Sequence, residues 1–99
     1  MNISPEHLTL VEGVLRKHLP QEAKVWVFGS RARGVVKQYS DLDLAIDLNG
    51  QLLSLALLAS LSFDFEESDL PYKVDIIDWN SIDKTFQNAI KNDLEELRL

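Results

Sequence analysis

The 99-residue sequence contains no cysteine, which excludes disulfide bonds, thiolate metal sites and cysteine nucleophiles. It also has no long apolar run. Its longest mostly apolar stretch, residues 52–61, is about half of the roughly 20 residues that a membrane-spanning helix needs. The first residues lack the cationic and apolar parts of a signal peptide. These absences together favour a cytoplasmic protein without a membrane segment.

Cations are scarce as well: 10 Lys and Arg face 16 Asp and Glu, for a formal charge of −6. That balance argues against broad binding of nucleic acids through their phosphate backbone. The charges are also unevenly spread, since residues 23–40 hold four cations and no acid, whereas residues 41–99 hold thirteen acids. A basic loop followed by an acidic strand suits a site for both phosphates and metal ions. Chance clustering in so short a chain is the alternative.

Hydrophobic periodicity predicts one domain over residues 1–99, in the order helix, strand, turn, strand, helix, strand, helix. Ser4 and Pro5 open the first helix, and Pro20 ends it. The predicted elements after it are a buried strand at 25–28, a helical turn at 30–34, strands at 41–48 and 73–79, a leucine-rich helix ending near 67, and a last helix capped by Ser81. This order predicts an α/β (α+β) domain with a small mixed β-sheet flanked by helices.

The strand at 41–48 has the cleanest alternation, with leucine and isoleucine on one face and Asp41, Asp43 and Asp47 on the other. Asp41 and Asp43 lie about 6–7 Å apart on such a strand, so their charges repel unless a cation neutralises them. Oxygen ligands of this kind suit Mg²⁺ or Mn²⁺. With Asp75 from the next strand, two metal ions about 3.5–4 Å apart could be bound. The simpler interpretation is a solvated strand face.

Two other acids are assigned lesser roles. Asp47 is expected to be solvated or structural, because it lies farther along the strand. Asp75 is preferred over Asp78 as the third site acid, because a carboxylate inside a strand is costly without a partner. Asp78 lies beside a turn, where it could act as a cap or remain solvated.

The residues after the first strand favour phosphate binding. Gly29 allows close backbone approach to an anion, and Ser30 adds a hydroxyl donor at the start of a helical turn. Ser30 could equally be the N-cap of that turn. Arg31, Arg33 and Lys37 could complement phosphate charge, and the sequence leaves open which of them points inward. Arg33 could instead pair with a nearby acid.

Three segments in this order resemble the motifs of the DNA polymerase β-like nucleotidyltransferases. They are GSRARG at 29–34, SDLDL at 40–44 and PYKVDIIDW at 71–79, and the resemblance covers roughly residues 23–80. The shortness of the chain is similar to that of the minimal nucleotidyltransferases, which usually occur beside a HEPN-domain partner.

The resemblance implies the polymerase β-like nucleotidyltransferase fold, with ATP as substrate and two Mg²⁺ ions, or Mn²⁺, as cofactors. An acceptor hydroxyl would attack the α-phosphorus, and pyrophosphate would leave. The resemblance implies that Gly29 and Ser30 cradle the triphosphate, and it assigns both metal binding and catalysis to Asp41, Asp43 and Asp75. Arg33 and Ser40 complete the predicted nucleotide-binding set.

For the minimal members, the family implies an antitoxin that places AMP on a tyrosine of its HEPN toxin. Two alternatives stay open: a non-catalytic antitoxin that occludes its partner, and one subunit of a two-chain enzyme with a small-molecule acceptor. A metal-dependent nuclease is a weaker third possibility, disfavoured by the net charge. A domain of this size buries only about 60–65% of its unfolded surface, so a homodimer or a partner contact through residues 52–61 and 82–99 is expected.

Overall fold

The computed structural model describes residues 1–34 and 39–99, so Lys37 lies outside the described residues. Its elements are α1 (Pro5–His18), β1 (Lys24–Phe28), α2 (Ser30–Arg33), β2 (Leu42–Asp47), α3 (Leu55–Glu67), β3 (Val74–Asp78), α4 (Lys84–Ile90), a 3₁₀ turn (Lys91–Asp93) and β4 (Glu95–Leu97). The strands form one sheet in the order β3-β2-β1-β4. The β2–β3 pair is parallel, and β1 pairs antiparallel with both β2 and β4. The predicted mixed sheet flanked by helices is confirmed.

The two faces of the sheet differ in chemistry because side chains alternate along each strand. One face packs against α1 and α3, and its residues Val25, Val27, Leu44 and Ile46 are fully buried in the core. The outer strand β3 is partly exposed on this face. The opposite face, here called the open face, has Asp43 and Asp47 on β2 and Asp75 on β3, as the alternation of the sequence requires. The predicted separation of leucines from acids on β2 is therefore confirmed.

The helix starts follow capping chemistry. Ser4 accepts a hydrogen bond from the His7 amide, and Ser54 accepts one from the Leu57 amide. The leucine-rich helix therefore begins at Leu55, within the apolar stretch 52–61. No helix in the described part of the chain combines the length and the hydropathy needed to cross a bilayer.

The C-terminal segment departs from the predicted last helix, whose apolar stripe was expected to run from Ile82 to Leu97. Asp83, not Ser81, caps α4, which is only seven residues long. The Ser81 hydroxyl instead donates to the carbonyl of Asp78. After the 3₁₀ turn, the chain becomes β4 and pairs with β1, which buries Leu97. The apolar spacing fits a helix, but pairing satisfies the outer edge of β1, which would otherwise be open.

Candidate active site

The site begins with two neighbouring acids on the open face. Asp43 of β2 and Asp75 of β3 are register partners in the parallel pair, so they lie side by side across adjacent strands. Burial raises the pKa of Asp43, and the negative charges of Asp75 and Asp41 raise it further. The positive charge of Arg33 opposes this rise. The ionised form of Asp43 is thus destabilised by burial and by two neighbouring carboxylates, and a bound cation would stabilise it.

Gly29 forms the other wall of the site. Its preceding residue, Phe28, is the β1 register partner of Asp43, so the chain leaves β1 directly beside that carboxylate. A side-chain carbon built on Gly29 would collide with the Asp43 carboxylate, whose Cγ would be only 3.3 Å away. The backbone there has φ 74° and ψ −153°, a combination essentially restricted to glycine. Glycine is therefore required twice over, by conformation and by space.

Ser30 is the first residue of α2, immediately after Gly29. The helix ends at once, because Gly34 adopts a left-handed conformation and its amide bonds back to the Ser30 carbonyl. The predicted phosphate-binding pair thus lies at a strand-to-helix bend beside Asp43. Whether Ser30 contacts phosphate stays a prediction.

The cations near this bend have different surroundings. Arg31 is buried: its guanidinium donates to the carbonyls of Asn2 and Ser40 and lies 3.7 Å above the Tyr72 ring centroid. Arg31 thus ties the N-terminus to the segment that precedes β2. Arg33 pairs with Asp93 at 3.2 Å, as the alternative interpretation had it, yet its charge also acts on Asp43. Its contact with nucleotide stays a prediction, as does that of Ser40.

Lys73 is a charged neighbour of the site that the sequence interpretation missed. Its ammonium lies 3.2 Å from a carboxylate oxygen of Asp75. The hydrogen bond and charge of Asp75, together with the charge of Asp41, raise the pKa of Lys73. Lys73 and Asp75 are two residues apart on an extended segment, so their side chains lie on one face. This spacing could have predicted their pairing from the sequence.

The acids fit a divalent cation without forming a preassembled cage. Within residues 1–34 and 39–99, no three His, Asp or Glu side chains stand close enough to make a metal-binding group. Asp41 precedes β2 and is exposed, although its charge reaches both Asp43 and Lys73. A hard cation such as Mg²⁺ would offset the charge repulsion that raises the pKa of Asp43. Such a cation also prefers oxygen ligands, which are the donors that these acids offer.

The acids at the far end of the same strands have backbone partners instead. Asp78 accepts hydrogen bonds from the amides of Leu53 (2.8 Å) and Asn80 (3.1 Å) and is buried. Asp47 accepts from the Gly50 amide (2.8 Å) and from the Asn80 side chain (2.7 Å). Both are structural acids, in agreement with the structural interpretation of Asp47. The idea of a solvated Asp78 is wrong, because it caps buried backbone.

Comparison with known proteins points to one family. The family described as polymerase beta, nucleotidyltransferase matches residues 11–97. The chain is 40% identical over 91 residues to the probable protein adenylyltransferase MntA of Haemophilus influenzae, covering 92% of this chain and 78% of that protein. It is 35% identical over 80 residues to MJ0435 of Methanocaldococcus jannaschii, a candidate protein adenylyltransferase, covering 81% and 82% of the two chains.

Solved structures share the fold at lower identity. A toxin–antitoxin crystal structure with AMP-PNP superimposes with a TM-score of 0.74 at 20% identity, covering 90% of this chain and 70% of that one. A mutant of the toxin–antitoxin MntA-HpeT gives a TM-score of 0.73 at 18% identity, with the same coverage. The fold, the order of the motifs and the matched family agree: this chain belongs to the polymerase β nucleotidyltransferase family and is a nucleotidyltransferase.

Proposed function

We propose that this protein transfers AMP from ATP to a tyrosine hydroxyl of a partner protein in a Mg²⁺-dependent reaction, and that it acts as the antitoxin of a toxin–antitoxin pair. The proposal rests above all on Asp43 and Asp75, which lie side by side opposite the Gly29 bend. Two relatives bear names that include protein adenylyltransferase, and two similar structures are toxin–antitoxin structures, which supports a protein acceptor. A HEPN-domain toxin is the partner that the motif resemblance favours.

Each wall of the site has a role in binding ATP. The bare backbone at Gly29 lets the triphosphate approach, and Ser30 offers a hydroxyl and an amide at the same bend. Arg33 and Ser40 complete the nucleotide-binding set. For Arg33 to reach phosphate, it exchanges its surface ion pair with Asp93, which costs little because exposed pairs contribute at most about 1 kcal/mol.

The three acids Asp41, Asp43 and Asp75 would hold two Mg²⁺ ions, which supply charge neutralisation of the carboxylates and the phosphates when bound. Asp75 lies at the outer strand, where an acceptor can approach, and it accepts the hydrogen bond of the incoming hydroxyl. Lys73 neutralises Asp75 in the absence of substrate.

The reaction balances without a further reactant. The acceptor oxygen forms a bond to the α-phosphorus of ATP as the bond from that phosphorus to the bridging oxygen breaks. The hydroxyl proton passes to the Asp75 carboxylate and then to solvent. Pyrophosphate leaves with the electron pair of the broken bond, and the tyrosine carries AMP as a phosphodiester.

The direct test is incubation of the purified protein with α-labelled ATP, Mg²⁺ and the protein encoded by the adjacent gene. We expect label on a tyrosine of that protein, an equal yield of pyrophosphate, and loss of both signals with EDTA. Absence of label on the partner would refute the proposal, and so would equal labelling by the wild-type and Asp43→Asn proteins.

Inhibition by occlusion is a second candidate, favoured by exposed apolar residues around α3. Leu52, Leu55 and Phe63 are 65%, 85% and 60% exposed, as expected for a surface that another protein covers. A double variant, Asp41→Asn with Asp43→Asn, separates the two candidates. Rescue of cells from the partner at the wild-type level would establish occlusion, and loss of rescue would establish catalysis.

A further inference from the structure

A groove runs along the outer edge of the sheet and ends at the site. Its volume is about 460 Å³, and it lies between α3 and β3. Its walls are mostly apolar: Leu58 and Phe65 from α3, Leu70 from the following loop, and Val74 and Ile76 from β3. Asp75 and Lys73 line the same groove, so it is continuous with the acid pair.

The outer edge of β3, which borders this groove, presents peptide groups at alternate residues. The Lys73 carbonyl accepts from Leu42, and the Trp79 amide donates to Ile46, so the odd-numbered residues of this segment bond toward β2. In a parallel ladder, the intervening residues then direct their amides and carbonyls away from the sheet. These are Val74 and Ile76. The outer edge of β3 therefore offers a row of backbone groups to an added extended chain.

Strand geometry fixes where the side chains of such a chain would lie. An added strand runs about 4.8 Å from β3, and a residue directly opposite Asp75 has its Cβ about 5 Å from that of Asp75 on the same face. The residues before and after it point to the other face, where Val74, Ile76 and α3 form the apolar walls. One residue of the added strand thus lies beside Asp75, while the residues before and after it enter the groove.

The charges of the groove add a preference. Glu66 lines it together with Asp75, and Lys73 already pairs with Asp75. A segment that also contains Lys or Arg complements the acidic rim.

We propose that this groove binds an extended segment of the acceptor protein, which places its tyrosine opposite Asp75 and a large apolar side chain between α3 and β3. The proposal rests on the adenylyltransferase function above and specifies its acceptor: a tyrosine flanked by apolar residues with a basic residue nearby. The groove thereby selects the tyrosine that receives AMP.

The test uses two fluorescent peptides that differ only beside the tyrosine, Lys-Leu-Tyr-Leu-Lys and Lys-Ser-Tyr-Ser-Lys. Binding is measured by anisotropy without nucleotide, and AMP transfer is measured with ATP and Mg²⁺. We expect the leucine peptide to bind at least about tenfold more tightly, since burial of one leucine side chain predicts that factor and both leucines can enter the groove. AMP transfer should show the same preference in kcat/KM.

Two matched variants locate the binding. Ser62 and Ser60 are both exposed on α3, but only Ser62 lines the groove. Ser62→Trp fills the groove and should remove the preference for the leucine peptide, whereas Ser60→Trp should leave it. Ser62→Arg serves the same purpose if the tryptophan variant does not fold by circular dichroism.

The outcomes separate the groove from the reaction. Equal binding of both peptides, or equal behaviour of the Ser62 and Ser60 variants, overturns the docking inference even if AMP is transferred. Groove-dependent binding with no AMP transfer to the peptides or to the adjacent gene product overturns the proposed function and, with it, the assignment of the groove to an acceptor.

Discussion

The parallel pair β2–β3 contains two pairs of aspartates that differ in how their charge is satisfied. At one end, Asp47 and Asp78 accept hydrogen bonds from backbone amides and from Asn80. At the other end, Asp43 has no hydrogen-bond donor among the described residues, and Asp75 has only the ammonium of Lys73, itself 73% exposed. The first pair is satisfied by the fold, and the second is left for a ligand to satisfy.

The hydrogen-bond donors around each carboxylate distinguish a structural acid from a candidate site acid more reliably than burial does. Asp78 is the more buried of the two β3 acids, yet its partners are fixed amides that would be unsatisfied without it. Asp75 is 41% exposed at its side chain and faces the open site. A carboxylate that lacks fixed donors and lies beside another carboxylate is the stronger candidate for metal binding and catalysis.

The largest expected effect is loss of AMP transfer in Asp43→Asn. Under the proposed function this change removes one of the Mg²⁺ ligands, so we expect initial rates with labelled ATP to fall by about 10³-fold or more. Asp47→Asn is the matched control, because it lies on the same face of β2 and keeps a carbonyl oxygen for its two donors. Similar losses in both variants would erase the distinction between the two pairs.

The next largest effect is loss of stability in Asp78→Ala. The amides of Leu53 and Asn80 would lose a charged acceptor, at a cost of about 3 kcal/mol in the free energy of unfolding. Thermal unfolding should shift down by more than about 10 °C. Asp75→Ala should change stability by less than about 1 kcal/mol, since it removes only an exposed ion pair. The reverse order would show that Asp75 is the structural acid.

Gly29→Ala should affect both stability and activity. The backbone conformation costs a non-glycine residue about 1–3 kcal/mol, and the new methyl group would displace the Asp43 carboxylate. Gly13→Ala is the contrasting control. Apart from the backbone of α1 itself, no described atom lies within 4 Å of the added carbon, so the higher helix propensity of alanine should stabilise the protein by about 0.5–1 kcal/mol. Urea unfolding and AMP transfer measure both changes. An active, fully stable Gly29→Ala would refute the close approach to Asp43.

The smallest effect is the pH dependence of stability that Asp43 contributes without metal. Its folded pKa is raised, so ionisation opposes folding, and stability is lost as pH rises from the ordinary value of 3.8 through the raised pKa. In EDTA, Asp43→Asn should therefore be more stable than wild type at pH 7, by less than about 1 kcal/mol because the carboxyl is partly solvated.

At pH 3 the stability difference between Asp43→Asn and wild type should disappear, since both then carry a neutral side chain. Chemical unfolding at the two pH values measures it. Adding Mg²⁺ at pH 7 should stabilise wild type alone. If Asp43→Asn is less stable than wild type in EDTA at pH 7, the ionised Asp43 carboxylate does not destabilise the fold, and this prediction is contradicted.

Local patterns predicted most of the elements near the site. Ser4, Pro5 and Pro20 bounded α1, and strict alternation placed the leucines of β2 on one face and its acids on the other. The Gly29 bend was also predicted, since glycine between a strand and a helical turn is typical of a backbone conformation that other residues avoid. Such signals depend on residues within a few positions of each other, so one sequence is enough to detect them.

Other features were missed because they depend on distant partners. The C-terminal segment has helical apolar spacing, yet Leu97 enters the core as part of β4, because β1 presents an edge that needs pairing. The buried state of Asp78 depends on the Leu53 amide, 25 residues away in the sequence. An ion pair of Arg33 was one of the expected alternatives, but its partner, Asp93, lies 60 positions away. No local pattern contains these contacts.

The amino-acid sequence by itself determined the chemistry available to this protein: which residues can bind phosphate, which are acidic, and that β2 keeps them on one face. Only the tertiary structure decided which acids meet. The parallel register places Asp75 beside Asp43. Folding also brings the Leu53 amide to Asp78, and this hydrogen bond offsets the free-energy cost of burying the carboxylate. The physical reason is that a carboxylate's role is set by the donors and charges around it, and those come from strands and loops far apart in the chain.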